Sequence, residues 1–413
     1  MSAGKVHILG GGLAGLSAAV ALAGRGIAVE LSEAAAWAGG RCRSYVDPQL
    51  GMTIDNGNHL VLSGNRAVRD YLAAIGASGR LAGPQTAVFD FADVSSGDRW
   101  VLKPSEGPLP GWIFDPARRV PGTKPSDYLG LLPLLRPGRD RTIEQVMRCE
   151  GPLWTRLMEP FLLAVLNTAP REGSAELASA VLRETLARGG KAFRPRIATP
   201  SLGAAFVEPA LAFLKARGAN VRLGRRARAL RFDADRLAAI TLTDGEVALG
   251  PDDRAILAVP PWVAGDLVPG LTVPDDFRAI VNGHFKIPAP PGAPAMVGVI
   301  GGTAEWIFAF EDRISVTVSG ADRLIDVDRE TLAGLLWRDV AHVHGLAGPM
   351  PAWQIVKERR ATFAATPAQD ARRPGARTRW KNLILAGDWT ATGLPATIEG
   401  ALRSGRRAAG LAF

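Results

Sequence analysis

The sequence contains few of the residues from which disulfide frameworks and metal sites are built. It has two cysteines, Cys42 and Cys149, whose separation matches no paired metal-ligand spacing. Of its five histidines, His284, His342 and His344 show no such spacing with nearby acids either, and we expect no bound metal. A low cysteine content is typical of proteins kept in a reducing interior, which predicts a cytoplasmic location.

Long apolar runs are also missing. No window reaches the roughly eighteen uncharged apolar residues that a membrane-spanning helix needs. The start, MSAGKVHILGGG, has no basic region followed by a long apolar region, which argues against a secretory signal peptide. We therefore expect a protein that is soluble or lies on a membrane without crossing it.

Acidic residues are in the minority. The chain has 49 lysines and arginines against 40 acids, which gives a net charge of +9 and a pI near 10.0. Such a balance favours an anionic partner, either nucleic acid or an acidic membrane surface. The arginine-rich stretch GANVRLGRRARALRF (218–232), which alternates like a pair of strands, has no interleaved aromatic residues or known module around it. We therefore expect no nucleic acid partner.

A glycine-rich motif follows the first predicted strand. Residues 5–9, KVHIL, lead into Gly10-Gly11-Gly12-Leu13-Ala14-Gly15 and then into an Ala/Leu-rich helix. This G-x-G-x-x-G between a strand and a helix is the fingerprint of dinucleotide binding. Its glycines allow a tight turn, close approach of a pyrophosphate and close helix packing, and the helix N-terminus offers free N–H groups. The predicted cofactor-binding residues are Gly10, Gly12, Leu13, Ala14 and Gly15.

The ribose of such a cofactor should meet an acid about twenty residues further on. Glu30 and Glu33 are both candidates. Glu30 falls within the second predicted strand, IAVEL (27–31), whereas Glu33 lies where the chain leaves that strand for the ligand. We predict Glu33. To this point NAD and FAD are equally compatible with the motif.

A second glycine pair separates the two cofactors. Gly39-Gly40-Arg41 follows the acid by six to eight residues and suits a second approach to the diphosphate, for which an NAD fold has no need. This acid-spacer-Gly-Gly-Arg pattern resembles the flavin amine oxidase and carotenoid desaturase superfamily. The resemblance implies an α/β fold with a Rossmann-like FAD-binding domain and a mixed α+β substrate domain. TIDNGNHL (53–60) is similar to the family loop that borders the flavin, which implies contacts from Gly57 and Asn58.

The same resemblance implies that the FAD domain is discontinuous and that the chain returns to it last. LILAGDWTATGLPATIEGA (383–401) looks like the closing strand and helix, with Gly387 and Asp388 at the ribityl–pyrophosphate region. Thr397 and Ile398 would lie at the first turn of that helix, and for Glu399 we predict a cap or salt bridge. In the middle segment, TLTDGEVALG (241–250) predicts a hairpin, and Ala227 would lie at the adenine. The implied segments are 1–75, 201–265 and 376–413 for the FAD domain, and 76–200 and 266–375 for the substrate domain.

The substrate domain carries the narrower signal. Residues 151–186 predict two helices that break around Asn167 to Pro170, and this LNT-P junction resembles the hydroxysqualene dehydroxylase family of squalene and hopanoid biosynthesis. That resemblance implies a long-chain isoprenoid alcohol as substrate, hydride from reduced FAD, an unknown electron donor and a proton donor. His59 is our first candidate for the donor. The alternatives are a carotenoid-type desaturase and, less favoured because Thr397 replaces the usual aromatic residue, an amine oxidase.

One stretch predicts contact with a membrane. Residues 109–141, LPGWIFDPARRVPGTKPSDYLGLLPLLRPGRDR, combine Trp112, Ile113, Phe114 and a leucine group with six basic and three acidic residues, a net charge of +3. Apolar groups can enter a lipid interface while basic residues meet anionic headgroups. We expect peripheral association with the inner face of the cytoplasmic membrane. The alternative is a loop whose arginines face water.

Overall fold

A computed structural model describes residues 4–412 of the chain. Its strands are β1 (Val6–Leu9), β2 (Val29–Ser32), β3 (Ser44–Asp47), β4 (Met52–Asp55), β5 (Leu60–Leu62), β6 (Leu81–Ala82), β7 (Phe89–Asp93), β8 (Arg99–Leu102), β9 (Pro195–Ala198), β10 (Asn220–Arg222), β11 (Ala227–Asp233), β12 (Arg236–Leu242), β13 (Gly245–Ala248), β14 (Arg254–Leu257), β15 (Phe277–Phe285), β16 (Met296–Ile300), β17 (Trp306–Ala309), β18 (Ile314–Val318), β19 (Trp353–Phe363) and β20 (Leu383–Leu385). Its α-helices are α1 (Leu13–Ala23), α2 (Arg66–Ala74), α3 (Leu132–Leu135), α4 (Glu159–Leu166), α5 (Ala175–Glu184), α6 (Gly190–Phe193), α7 (Glu208–Ala216), α8 (Pro261–Leu267), α9 (Arg329–His344), α10 (Pro367–Ala371) and α11 (Ile398–Ala412).

A parallel sheet in the order β10-β2-β1-β14-β20 forms the first layer. All five strands are short, and β1 and β20 are largely apolar and fully buried, as expected for a parallel sheet covered on both faces. All five strands come from the segments 1–75, 201–265 and 376–413. The first and last helices, α1 and α11, pack so closely that a Cβ on Gly405 would lie 2.1 Å from the Ala14 carbonyl oxygen. The predicted α/β fold class is therefore confirmed.

The arginine-rich stretch 218–232 differs from its prediction. Its two strands do not pair with each other, because β10 joins the edge of the parallel sheet and β11 joins a separate antiparallel sheet, β11-β12-β13. The predicted hairpin at 241–250 is present as β12 and β13. The second strand begins at Val29 rather than at Ile27 and runs on to Ser32.

A seven-stranded mixed sheet in the order β19-β15-β18-β17-β16-β7-β8 forms the second unit. Its strands come from residues 89–102 and 277–363. One face packs on α9 through Val316, Ile307 and Leu336, and the other contributes Phe91 and Trp306 to the larger apolar cluster that also includes residues of α4 and α5. The same cluster includes residues of β14 and β20, so apolar packing is continuous between the two sheets.

The helices at 151–186 break where the sequence indicates. Helix α4 follows a π-helical turn (Trp154–Met158) and ends at Asn167, whose φ of 49° is left-handed. The Asn167 amide donates to Thr362 Oγ1 at 2.9 Å and accepts from the Gly320 N–H at 2.6 Å. Thr168 Oγ1 accepts from the Ala365 N–H at 2.8 Å. Asn167 therefore joins the end of α4 to β19, and Thr168 joins it to the residues that follow β19.

Neither a membrane-spanning helix nor a metal cluster occurs in the described chain. Within residues 4–412, no helix combines the length and the hydropathy needed to cross a bilayer. The same residues contain no group of three or more His, Cys, Asp or Glu side chains placed to hold a metal ion.

Candidate functional site

The glycine motif lies at the carboxyl end of β1, and its glycines have different physical roles. Gly10 has a φ of 110°, and a Cβ there would lie 2.4 Å from the Ala258 carbonyl oxygen. A Cβ on Gly15 would lie 1.9 Å from the Gly10 carbonyl oxygen, so helix and strand could not pack. A Cβ on Gly12 would meet nothing within 4 Å. The fold itself therefore does not require glycine at position 12, whereas a phosphate approaching the backbone does.

The N-terminus of α1 opens at the same point. Gly12 is the N-cap residue and carries no side chain to bond the first-turn N–H groups, which include those of Leu13 and Ala14. The first turn also contains no acid. An uncapped helix N-terminus with its positive dipole end attracts an anion. Open backbone at Gly12 and an uncapped helix fit the diphosphate of a dinucleotide.

Glu33 is aimed at the glycine motif and Glu30 is not. The Glu33 carboxylate accepts from the Gly11 N–H at 2.6 Å and from the Ala35 N–H at 2.8 Å. Glu30 accepts from the Asn220 amide at 2.7 Å, between β2 and β10. Glu33 therefore lies beside the loop that would hold the cofactor. Its ribose contact remains a prediction.

The second glycine pair lies directly against the first motif. Gly39 donates its N–H to the Gly11 carbonyl oxygen at 2.8 Å, and a Cβ on Gly40 would lie 3.3 Å from the Gly12 Cα. Both Gly39, with a φ of 100°, and Gly40, with a φ of 56°, have left-handed backbones that favour glycine. Two distant stretches of backbone thus converge on one space.

Arg41 and Asp388 meet across this space. Arg41 Nη2 lies 2.7 and 2.6 Å from the two carboxylate oxygens of Asp388, and Arg41 Nη1 donates to the Ala361 carbonyl oxygen at 2.5 Å. The Asp388 side chain is 7% exposed, while that of Arg41 is 42% exposed. The pair joins the first segment, the last segment and β19.

The closing segment places its other predicted residues at one helix end. Thr397 Oγ1 accepts from the Gly400 N–H at 3.0 Å and so caps α11, which begins at Ile398. Gly387 donates its N–H to Ser404 Oγ at 2.9 Å. These contacts hold the 387–398 loop against α11, and its flavin contacts remain predictions.

Glu399 has a structural role. Its carboxylate accepts from the N–H groups of Ala67 and Val68, both at 3.0 Å, and so caps the N-terminus of α2. It also bonds Arg403 at 2.8 Å. The prediction of a cap or salt bridge is confirmed.

Ala227 begins β11 beside the acid-bearing loop. Two residues before it, Arg225 donates its N–H to the Glu33 carbonyl oxygen at 2.7 Å and its guanidinium to Asp244 at 2.7 Å. The segment carrying Ala227 is thus fixed next to Glu33. That position is compatible with the predicted contact to adenine, next to the ribose.

Two residues that sequence reasoning missed hold the 57–59 loop. Asn282 accepts from Thr317 Oγ1 at 2.8 Å and lies 3.4 Å from the backbone nitrogen of Asn58. Asn58 Nδ2 donates to Thr317 Oγ1 at 3.2 Å, while its Oδ1 is buried with no partner among the described residues. A Cβ on Gly57 would lie 3.0 Å from Asn282. The sequence signal that could have revealed Asn282 is its amide side chain within the largely apolar strand FRAIVNGHF.

His59 is half-buried in the same loop. Its Nδ1 lies 3.0 Å from the Gly57 carbonyl oxygen, which can only accept, so Nδ1 carries the hydrogen and Nε2 is left free. Burial lowers the pKa of His59, the Gly57 bond opposes this shift, and the Arg41 charge adds to it. The neutral form therefore prevails at neutral pH.

The chain is similar to known flavoenzymes over almost its whole length. The model of the family "Flavin containing amine oxidoreductase" matches residues 13–412. A hydroxysqualene dehydroxylase of Rhodopseudomonas palustris is 55% identical over 98% of this chain and 97% of that protein. Hydroxysqualene dehydroxylases of Sinorhizobium fredii, 53% identical over 99% and 98%, and of Zymomonas mobilis, 49% identical over 98% of each chain, are also similar.

Solved structures share the fold at low identity. A putative protoporphyrinogen oxidase from Exiguobacterium superposes with a TM-score of 0.70 at 16% identity, covering 99% of this chain and 98% of that one. A putrescine oxidase bound to putrescine gives 0.68 at 16% identity, covering 98% of each chain. These structures show the fold alone. With its family match and its full-length relatives, the chain belongs to the flavin-containing amine oxidoreductases and, among them, to the hydroxysqualene dehydroxylase family.

Proposed function

We propose that the protein catalyses the FAD-dependent reductive dehydroxylation of hydroxysqualene to squalene. The observation that carries the proposal is the contact between the two glycine loops beside an uncapped helix, in a chain 49–55% identical over nearly its full length to enzymes of that name. The allylic C–O bond breaks, its oxygen leaves as water after taking up a proton, and a C–H bond forms with a hydride. Each turnover consumes two electrons, so an external electron donor is required.

The residues present fit FAD. The open backbone at Gly12 and the uncapped N-terminus of α1 would hold the diphosphate, and Glu33 would bond the ribose. Arg41 and Asp388 would border the ribityl–pyrophosphate region, and Asn58 and the start of α11 the flavin ring. When bound and reduced, FAD supplies the hydride.

The protein's own part is to deliver a proton and exclude water. His59 Nε2 is the free nitrogen of a ring fixed by the Gly57 bond, and it would hold the proton that the departing hydroxyl takes up. The large apolar cluster beside the parallel sheet offers a surrounding in which little water competes with the hydride for the allylic cation.

The proposed substrate also supports a proposal about where the enzyme works in the cell. A long-chain isoprenoid alcohol has negligible solubility in water and resides in the bilayer. We propose a cytoplasmic protein bound peripherally to the inner face of the cytoplasmic membrane, which its net charge of +9 favours.

Anaerobic single-turnover chemistry tests the function. Flavin-loaded protein, reduced chemically and freed of reductant, should convert detergent-solubilised hydroxysqualene to squalene while the flavin spectrum returns to the oxidised form. The control is the same protein left oxidised, which should give no squalene. Reduced protein that leaves the alcohol unchanged would refute the proposal, and a dehydrogenated polyisoprenoid formed by the oxidised protein would indicate a desaturase.

A further inference from the structure

Exposed apolar side chains concentrate in one stretch of the substrate domain. Of the seven large hydrophobic residues that are exposed within residues 4–412, four lie between positions 109 and 132. They are Leu109 at 81% exposure, Phe114 at 69%, Leu129 at 63% and Leu132 at 57%. Single exposed apolar residues are ordinary, but a cluster marks an interaction site. We call these four residues the docking surface.

The structure corrects the sequence-based choice of membrane-inserting residues. Trp112 and Ile113, expected to enter the lipid, are buried, at 5% and 8% exposure. The Trp112 ring packs edge-on against Tyr128 at 5.2 Å, which joins the short helix Gly111–Phe114 to the short helix Pro125–Leu131. Phe114 and Leu129, the exposed neighbours of this buried pair, are thereby held on adjoining segments.

The basic side chains of the same stretch of sequence have no partners of opposite charge among the described residues. Residues 109–141 carry six basic groups against three acids, and none of the six forms an ion pair in the described part of the chain. Arg118 and Arg119 bond only backbone carbonyl oxygens, those of Lys103 and Ile113. Two of the acids are already engaged, because Asp115 and Asp127 accept from backbone N–H groups. The positive charge is therefore free for an external anion.

We propose that this surface docks on an anionic lipid bilayer, with Leu109, Phe114, Leu129 and Leu132 entering the interface and the unpaired bases of residues 109–141 meeting headgroups. Exposed apolar groups with unpaired bases suit lipid, since each base near an anionic surface strengthens binding by about fivefold. The inference rests on the proposed function in one respect, because a substrate that resides in the bilayer is the reason why docking would be useful. Trp112 and Tyr128, which lie behind the docking surface, belong to the same apolar cluster as Leu257 of β14 and Trp389, which follows β20.

Vesicle co-sedimentation of the flavin-loaded protein tests the surface. The wild type should bind vesicles of equal parts phosphatidylglycerol and phosphatidylcholine and bind pure phosphatidylcholine weakly. Phe114→Ser with Leu132→Ser should lower the partition coefficient by about tenfold, because partly inserted apolar area is lost. Arg118→Glu with Arg119→Glu should lower it by at least about tenfold on the anionic vesicles and have little effect on the neutral ones.

Matched controls lie elsewhere on the surface. Val46→Ser removes an equally exposed apolar side chain, and Arg25→Glu with Arg407→Glu makes the same charge change at exposed positions. Both controls should bind vesicles like the wild type. If the controls lose binding as much as the docking variants, or if the wild type stays in the supernatant, the surface is not a membrane dock.

Activity and size measurements separate the remaining outcomes. The docking variants should turn over detergent-solubilised hydroxysqualene at the wild-type rate and vesicle-embedded hydroxysqualene several-fold more slowly. Absence of turnover of both substrate forms by the wild type would refute the proposed function while vesicle binding still decides the inference. A concentration-dependent dimer that Phe114→Ser dissociates, without vesicle binding, would assign the surface to a second copy of the chain and overturn the proposal.

Discussion

Arg41 and Asp388 lie 347 residues apart in the chain and form an ion pair. Arg41 Nη2 lies 2.7 and 2.6 Å from the two carboxylate oxygens of Asp388. The pair ties the loop after the second strand to the loop after the last strand of the parallel sheet. Asp388 is almost fully buried, and Arg41 is its ion-pair partner. These two residues, which we predict to lie at the cofactor, therefore also hold an early and a late segment of the chain together.

Removing this ion pair should lower both the stability of the fold and the retention of the cofactor. Asp388→Ala leaves a half-buried guanidinium unpaired and should lower the free energy of unfolding by about 2 kcal/mol. Denaturant titration measures this value, and the flavin content of the purified protein should fall with it. Glu150→Ala removes the partner of Arg148 in a pair whose side chains are 84% and 62% exposed, and it should leave stability unchanged. Equal effects of the two substitutions would contradict the assignment.

Glu33→Ala should weaken FAD binding more than Glu30→Ala. The Glu33 carboxylate is already oriented by two backbone N–H groups beside the glycine motif, and a charge-assisted bond to the ribose would be lost. We expect the Kd for FAD to rise by about 10- to 100-fold. Fluorescence titration of flavin-free protein provides the measurement. Glu30, bonded to Asn220, is the control, and the reverse order of effects would show that the wrong acid was chosen.

Gly12→Ala and Gly15→Ala should separate cofactor binding from folding. The added Cβ at position 12 meets no protein atom, and its backbone, with a φ of −71°, is open to any residue. Flavin-free Gly12→Ala should therefore unfold like the wild type yet bind FAD poorly. Gly15→Ala would force the Gly10 carbonyl apart from α1, at a cost of about 3 kcal/mol. If Gly12→Ala binds FAD with the wild-type Kd, the predicted position of the phosphate against this loop is wrong.

The flavin should be held without a covalent bond. The closing motif GDWTATGLPATIEGA contains no cysteine, histidine or tyrosine. Cys42, beside Arg41, is buried, and burial raises its pKa to about 12, so its nucleophilic thiolate is scarce at neutral pH. Acid precipitation should release the yellow colour into the supernatant. Colour that stays in the pellet would contradict this.

If His59 protonates the leaving hydroxyl, kcat should rise as pH falls. The pKa of His59 lies below the usual 6.5, so the protonated form is a minority at neutral pH. Its fraction grows as the pH falls from neutral towards the pKa. His59→Gln should lower kcat by about 100-fold, with little change in KM, and should flatten this part of the profile. Single-turnover rates with reduced protein provide the measurement. An unchanged rate and an unchanged profile would assign the proton to another group.

Much of the backbone geometry of the candidate site could be predicted from the sequence because its requirements are local. A left-handed backbone at Gly10 and Gly39 and close packing at Gly15 allow one residue type, so the pattern shows in the sequence. The choice of Glu33 over Glu30 likewise follows from where a strand ends. The sequence pattern predicted the hairpin at 241–250, and the resemblance to the superfamily predicted the closing helix α11. Such features depend on a residue and its near neighbours.

The remaining features depend on partners that sequence spacing does not reveal. Asn282 supports Asn58 from a strand more than two hundred residues away, and Glu399 caps a helix near the other end of the chain. The strands β10 and β11 are adjacent in sequence but join different sheets, because each finds its hydrogen-bond partners elsewhere.

The sequence alone determined that residues 109–141 combine apolar and basic groups, and only the tertiary structure decided which of them face water. Trp112 and Phe114 are two residues apart and similar in hydrophobicity, yet Trp112 is buried and Phe114 is exposed. The physical reason is the packing of Trp112 on Tyr128, since one face of a short helix can be buried against the core and its other face then remains on the surface.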